Sequence, residues 1–279
     1  MLNKDVSKWK INKKVIFYFC VLILLLIELF PIILVFLTSF KSQIDIFNPN
    51  PISSFMPTLD NYKEVLINRN FLNNLKHSMF IALTTTIISV VFGVMASYSF
   101  ARFKFKGDEK LGLAILASRM IPPITLSVPL FLLMRKVALL DTYFGLILAH
   151  VSFIMPYVIW MTLPFFQGIP KAYEEAALID GCSRFGAFIK IFVPLVAPGL
   201  VVSATFSFLF SWNDFLYALI LAGSELKTAP IVVSGFIGQF GPKWGAMTAA
   251  GSLILIPIFI FALILQKYII SGLAVGGID

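Results

Sequence analysis

Six long apolar runs, at 15–38, 79–99, 111–134, 143–166, 200–221 and 246–266, constrain this sequence more than anything else in it, and only Glu28, Arg119 and Asp214 put a formal charge inside them. Each run matches the ~20 residues a helix needs to cross a bilayer's hydrocarbon core. Backbone N–H and C=O groups find no water there, so helices that satisfy them internally are the expected form. Strands of alternating polarity are not seen. With 59% hydrophobic and 13% charged residues, the chain has too few charges to cover a water-soluble fold of this size. The expectation is an all-α membrane protein of six transmembrane helices, one domain over 15–270, with the lipid bilayer as its main solvent. The first run follows a Lys-rich start but exceeds a signal-peptide core and lacks a small-x-small cleavage site, so it reads as a retained helix.

The net charge of +8 would suit nucleic acid, but the basic residues sit in short gaps between apolar runs, a placement that sets topology instead. The strongest clusters are Lys4, Lys8, Lys10, Lys13 and Lys14 in segment 1–14, then Arg102, Lys104, Lys106 and Lys110. Both face the cytoplasm if the N-terminus does. The reading is a multi-pass protein of the inner or cytoplasmic cell membrane, with the N-terminus and the 271–279 tail in the cytoplasm and no nucleic-acid partner. Cys20 and Cys182 share no metal-type spacing, and His77 and His150 lack ligand-spaced companions, so no metal site is expected and both histidines read as packed or interfacial. No phosphate loop is present: Gly223-Ser224-Glu225-Leu226-Lys227-Thr228 has the Lys-Thr ending without the second glycine. An intramembrane serine protease would need a serine flanked by glycines, and Ser234-Gly235 lacks the leading one. No catalytic residue and no cofactor of its own is assigned to the chain.

The informative connection is 167–199. Pro170 suits the first turn of a helix, where its missing N–H has no partner to lose. Glu174 and Glu175 follow at the positive end of that helix's dipole. Ala176 and Ala177 favour helix and leave a smooth face, and Gly181 is a stop that tolerates left-handed backbone. Ser183 caps a second helix, in which Phe185, Phe188, Ile189 and Phe192 recur at three- and four-residue steps and predict one apolar stripe. Pro194 ends the sequence of turns. The residues alone leave two readings open: an interfacial loop without a partner, or a helix–turn–helix that docks another protein.

The run Glu175-Ala176-Ala177, three residues, Gly181, nine residues, Ile191-Phe192-Val193-Pro194 resembles the EAA loop of bacterial ABC importer permeases, E-A-A-x3-G-x9-I-x-L-P, with Val193 in place of Leu. The stretches 99–107, 119–123 (Arg119-Met120-Ile121-Pro122-Pro123), 212–215 (Trp212-Asn213-Asp214-Phe215) and the closing 271–277 look like parts of the carbohydrate importer permeases with six spans. The resemblance implies the type I ABC importer permease fold with a cytoplasmic coupling helix–turn–helix. It further implies a second homologous permease, an ATP-binding cassette ATPase dimer that uses ATP and Mg, an extracytoplasmic solute-binding protein and a sugar substrate. Glu174, Glu175, Ala176, Ala177, Asp180, Gly181, Ile191 and Pro194 are then the coupling positions.

Charges inside spans are costly and mark a pathway or an internal pair. Asp214 beside Trp212 and Asn213 suits a sugar pathway, an aromatic face with hydrogen-bonding neighbours, or else a packing hydrogen bond. Arg119 precedes Pro122 and Pro123, which should break the third span; it lines a cavity, or it snorkels or pairs with an acid. The role of Glu28 is open. Pro129, Pro156, Pro164 and Pro257 bend their spans. A permease for a non-sugar solute shares the EAA loop, and an ion-coupled secondary transporter would work without an ATPase.

Overall fold

The structure, a computed structural model, describes the backbone of residues 2–48, 55–238 and 241–275, and side chains within 14–266 of these. Pro49, Pro51 and the last residues of the 271–277 stretch lie outside it. The helices that form the apolar runs and the connection 167–199 are α1 (Leu2–Ser39), α2 (Phe71–Arg102), α3 (Asp108–Ser118), α4 (Pro123–Lys136), α5 (Tyr143–Gln167), α6 (Ala172–Ile179), α7 (Arg184–Ala187, continued by a π turn at Phe188–Phe192 and by Val193–Leu195), α8 (Ala197–Trp212), α9 (Leu216–Leu221) and α10 (Trp244–Val275). Among the described residues four helices are long and apolar enough to span singly, and two bent pairs complete up to six spans: α3 with α4, bent by 97°, and 184–195 with α8, bent by 79°.

Several boundaries differ from the sequence reading. Helix α2 begins at Phe71, eight residues before the predicted run, because the polar stretch Asn73–Ser78 is still helical. The third run is broken at 119–122, where Pro122 and Pro123 withhold two N–H donors. The fifth run is not one helix either. It stops at Trp212 and restarts at Leu216, because Asn213 Nδ2 turns back to the Leu209 carbonyl (2.9 Å) and Asp214 Oδ2 accepts the Ala218 N–H (3.1 Å). Short polar side chains compete with the helix ladder in this way. Helix α10 runs on to Val275, so the tail predicted from 271 begins as helix. A two-stranded hairpin, Ile237–Gly238 with Gly241–Pro242, was not foreseen.

Contacts divide the chain into two compact units where the sequence reads as one domain: Met1–Asn70 with Gly235–Leu253, and Phe71–Ser234 with Ile254–Asp279. In the first unit, Asn61 Nδ2 donates to the carbonyls of Ser39 (3.0 Å) and Lys41 (2.8 Å). Glu64 lies near both Arg69 and Lys243.

In the second unit, α2 packs along α5 and α8 with a stripe of small residues facing inward: Ser78, Ala82, Thr85, Ser89, Gly93 and Ser97 are buried at three- and four-residue steps. Lipid tails are as apolar as Leu, so spans associate through close packing, and small side chains permit it. Gly93 shows the constraint, since a Cβ there would meet Val158 Cγ1 at 2.8 Å. Helix α3 has no buried residue, and no residue in the apolar window of α1 is buried.

A half-buried carboxylate ties two connections of this unit together. Asp141, at φ 55°, accepts the N–H groups of Gly223 (2.8 Å), Glu225 (3.2 Å) and Leu226 (3.0 Å). The stretch with a phosphate-loop ending thus aims its amides at a carboxylate of its own chain. Burial pushes the Asp141 carboxyl up, but the three amides and Lys227 outweigh this and hold it below its ordinary 3.8. Its stabilisation is therefore complete above that ordinary value and is lost as pH falls through the lowered one. Asp141→Ala should cost about 1–2 kcal/mol, read as an earlier thermal unfolding of the detergent-solubilised protein, with the deficit shrinking on acidification below pH 4. A deficit that stays constant into acid would show that the carboxylate charge is not what stabilises the loop.

Candidate functional site: the elbow and the broken spans

The connection from α5 to α8 folds as an elbow. Helix α6 starts at Ala172, with Pro170 two residues ahead of it and accepting the Tyr173 N–H (3.3 Å), so the proline sits at the approach and not in the first turn. Glu174 and Glu175 occupy that first turn. The helix ends in a paired closure: Gly181 N–H reaches the Leu178 carbonyl (3.1 Å) and Cys182 N–H the Ala177 carbonyl (2.9 Å), around Gly181 at φ 81°. This is the Schellman arrangement, which favours glycine at its left-handed position. Ser183 then caps α7 by accepting the Gly186 N–H (3.0 Å).

One side of the elbow is open. Glu175, Ala176, Asp180 and Gly181 are exposed, and so are the apolar Tyr173, Ile179 (85%) and Phe185 (63%). Ala177 is the exception among the predicted coupling positions: it is buried, so the smooth face toward another surface is Ala176 alone. Ile191 is half-buried and Pro194 exposed. The predicted apolar stripe also needs correction. Phe188 and Phe192 are buried, whereas Phe185 and Ile189 face out. The π turn at 188–192 is wider than an α turn.

The other side is held by α2. Tyr98 stands among Phe103, Phe166, Phe188 and Phe192, with ring centroids 4.9–5.8 Å away. Arg102, one turn further and only 4% exposed, donates from Nη2 to the Ile169 carbonyl (2.8 Å). It also lies over the Phe192 ring at 4.7 Å and brings Nε to 4.0 Å from Glu174 Oε2. Glu174 is therefore a half-buried anchor, distinct from the exposed Glu175 beside it. In the sequence Arg102 fell within a basic gap and the 99–107 resemblance, and Tyr98 within an apolar run; what reveals their contact with the elbow is that α2 ends beside it.

The predicted pathway residues separate. Asn213 and Arg119 are exposed. Trp212 is not: 1% exposed, its ring stacks on Phe208 at 5.6 Å within a cluster that includes Ala82 and Phe261. It is a packing residue, turned inward because the helix before the break buries that face. Asp214 is mostly buried beside His150, whose Nε2 lies 3.2 Å from Asp214 Oδ2 and whose Nδ1 lies 2.7 Å from Ser211 Oγ. His150, read as an ordinary packed histidine, ties α5 to the break in the fifth span. His77 packs edge-on against Tyr143 (5.7 Å). Cys20 is exposed and Cys182 half-buried, both as free thiols. The exposed Arg119, at the bend of the third span, reaches Phe153 O with Nη1 (2.6 Å).

An elbow between spans, with one side anchored and one open, and broken helices around it are the features of an importer permease. Residues 89–275 match the model of the family "binding-protein-dependent transport system inner membrane component", and the chain belongs to that family of multi-pass membrane proteins. Among its relatives, the trehalose transport system permease protein SugB of Mycobacterium tuberculosis is 40% identical over 90% of this chain and 92% of that protein. The trehalose/maltose transport system permease protein MalG of Thermococcus litoralis is 33% identical over 96% and 98%. A solved bacterial ABC transporter chain involved in import of the acidic polysaccharide alginate shares the fold, with a TM-score of 0.74, 22% identity and coverage of 91% of this chain and 95% of that one. The fold is that of type I ABC importer permeases.

Proposed function

We propose that this chain forms half of the pathway of an ATP-driven carbohydrate importer, and that its elbow receives the stroke of a separate ATPase. The observation that carries the reading is the two-sided elbow: buried Arg102 and Tyr98 bind it to α2, while Glu175, Ala176, Ile179 and Asp180 stand free to meet another protein. Trehalose and maltose permeases among the relatives support a sugar as the solute. The bare surfaces of α1 and α3 support a second permease and lipid as their cover. ATP and Mg belong to the ATPase dimer, a solute-binding protein delivers the sugar, and the basic clusters at 4–14 and 102–110 support a cytoplasmic side for the elbow and both termini.

The test uses the complete importer, purified with its ATPase and second permease and placed in lipid vesicles. Uptake of labelled trehalose or maltose should require ATP and the binding protein. Uptake driven by an ion gradient without ATP would favour a secondary transporter, and ATP-driven uptake of amino acids alone would keep the permease but remove the carbohydrate.

A further inference from the structure

The carbohydrate reading can be taken to particular atoms at the bend of the third span. Arg119 ends α3 there, exposed, with one N–H spent on the Phe153 carbonyl. Its guanidinium carbon lies 5.6 Å from the Tyr157 ring centre and 5.9 Å from that of Phe210. These two rings meet edge to face at 5.3 Å, and Phe206 extends the aromatic wall at 6.3 Å from Phe210. Among the described residues no carboxylate lies within ion-pair distance of Arg119. A guanidinium in mid-span without a counter-charge is too costly to face hydrocarbon, so this surface opens to water.

The bend adds acceptors. Pro122 and Pro123 carry no N–H, so the carbonyls of Ser118 and Arg119 cannot receive their helical bonds from four residues on. The site therefore offers guanidinium donors and aromatic faces within one patch, beside a bend that frees two carbonyls from their helical bonds. A carboxylate or phosphate would suit the guanidinium but meet repulsion from the carbonyls. A hydroxyl serves both, because it donates and accepts, and the C–H face of a pyranose ring packs on the negative face of an aromatic ring.

We propose that Arg119, Tyr157 and Phe210 form a contact for an uncharged, hydroxyl-rich ring passing through the permease. The proposal rests on the sugar reading above. In vesicles carrying the complete importer, Tyr157→Leu, Phe210→Leu and Arg119→Gln should each raise the KM for uptake of the transported sugar by roughly tenfold, the loss of one stacking or charge-assisted contact. Co-purification of the ATPase subunits reports that each variant assembles. A second measurement does not need turnover: with Phe210→Trp, indole emission should change saturably with the transported sugar and stay flat with a non-transported sugar of equal size. Unchanged KM in assembled variants, together with a silent indole, overturns the contact. Wild-type importer that takes up no sugar at all sinks the carbohydrate reading itself, and the contact with it.

Discussion

Replacing Arg102 with alanine is expected to leave an importer that assembles poorly and transports at less than a tenth of the normal rate. Three groups lose their partner at once: the Ile169 carbonyl its donor, the Glu174 carboxylate its cation, and the Phe192 ring the charge above it. Removing one member of a buried charged set typically costs about 3–5 kcal/mol, because the survivor is left uncompensated. The 4.0 Å reach to Glu174 is long for an ion pair, which places Arg102→Ala near the lower end. Arg102→Lys keeps the charge but not the planar fork that serves Ile169 and Glu174 together, so it should recover assembly only in part. The informative variant is the pair Arg102→Met with Glu174→Gln. Losing both charges should restore assembly, since no lone charge stays buried, yet uptake per assembled complex should remain low because α2 no longer grips the elbow. If the pair transports at the wild-type rate, the latch is only a stability element and has no part in transmission. If Arg102→Ala alone transports normally, it is not even that.

What was legible in the sequence and what was not divide along a physical line. Length and apolarity marked the apolar runs as helical, though not where the helices begin and break, because hydrocarbon leaves the backbone no alternative to helix. The elbow's ends were legible too, since Gly181 and Ser183 act through their own neighbouring backbone. Contacts between elements were not. Nothing local marks Arg102, Tyr98 or Asp141, whose partners lie 67 to 85 residues away. The break after Trp212 escaped because Asn213 and Asp214 each also fit a polar position in a continuous helix; the N–H of Ala218 and the ring of His150 decide against that. Trp212 went wrong for a related reason: an aromatic beside two polar residues looks like a wall, but the face it occupies is the one α8 buries. The stripe through Phe185 and Ile189 failed because periodicity marks apolar positions without saying which of them another element covers; Phe188 and Phe192 meet Tyr98, and the other two face out.

Gly181 carries the second large effect, and it separates shape from chemistry. A Cβ on Gly181 would meet nothing within 4 Å, so crowding inside this chain is not the issue. The constraint is the backbone, at φ 81°, where an L side chain costs about 1–2 kcal/mol and a β-branched one more. Gly181→Ala should therefore permit assembly while loosening the closure of α6, and Gly181→Val should force the turn out of its left-handed form. The open face formed by Glu175, Ala176 and Asp180 would then be presented at a different angle. If the elbow is the part that the ATPase moves, Gly181→Val complexes should still bind and hydrolyse ATP but convert it into uptake at least tenfold less efficiently, with Gly181→Ala between the two. Gly181→Asn is the control, because asparagine tolerates left-handed geometry better than other side chains with a Cβ. It should transport better than Gly181→Ala despite being larger. A series that instead follows side-chain size, with asparagine worse than alanine, would mean that Gly181 matters as a point of close approach to the ATPase and not as a hinge. A series with no effect on uptake would detach this elbow from the transport stroke altogether.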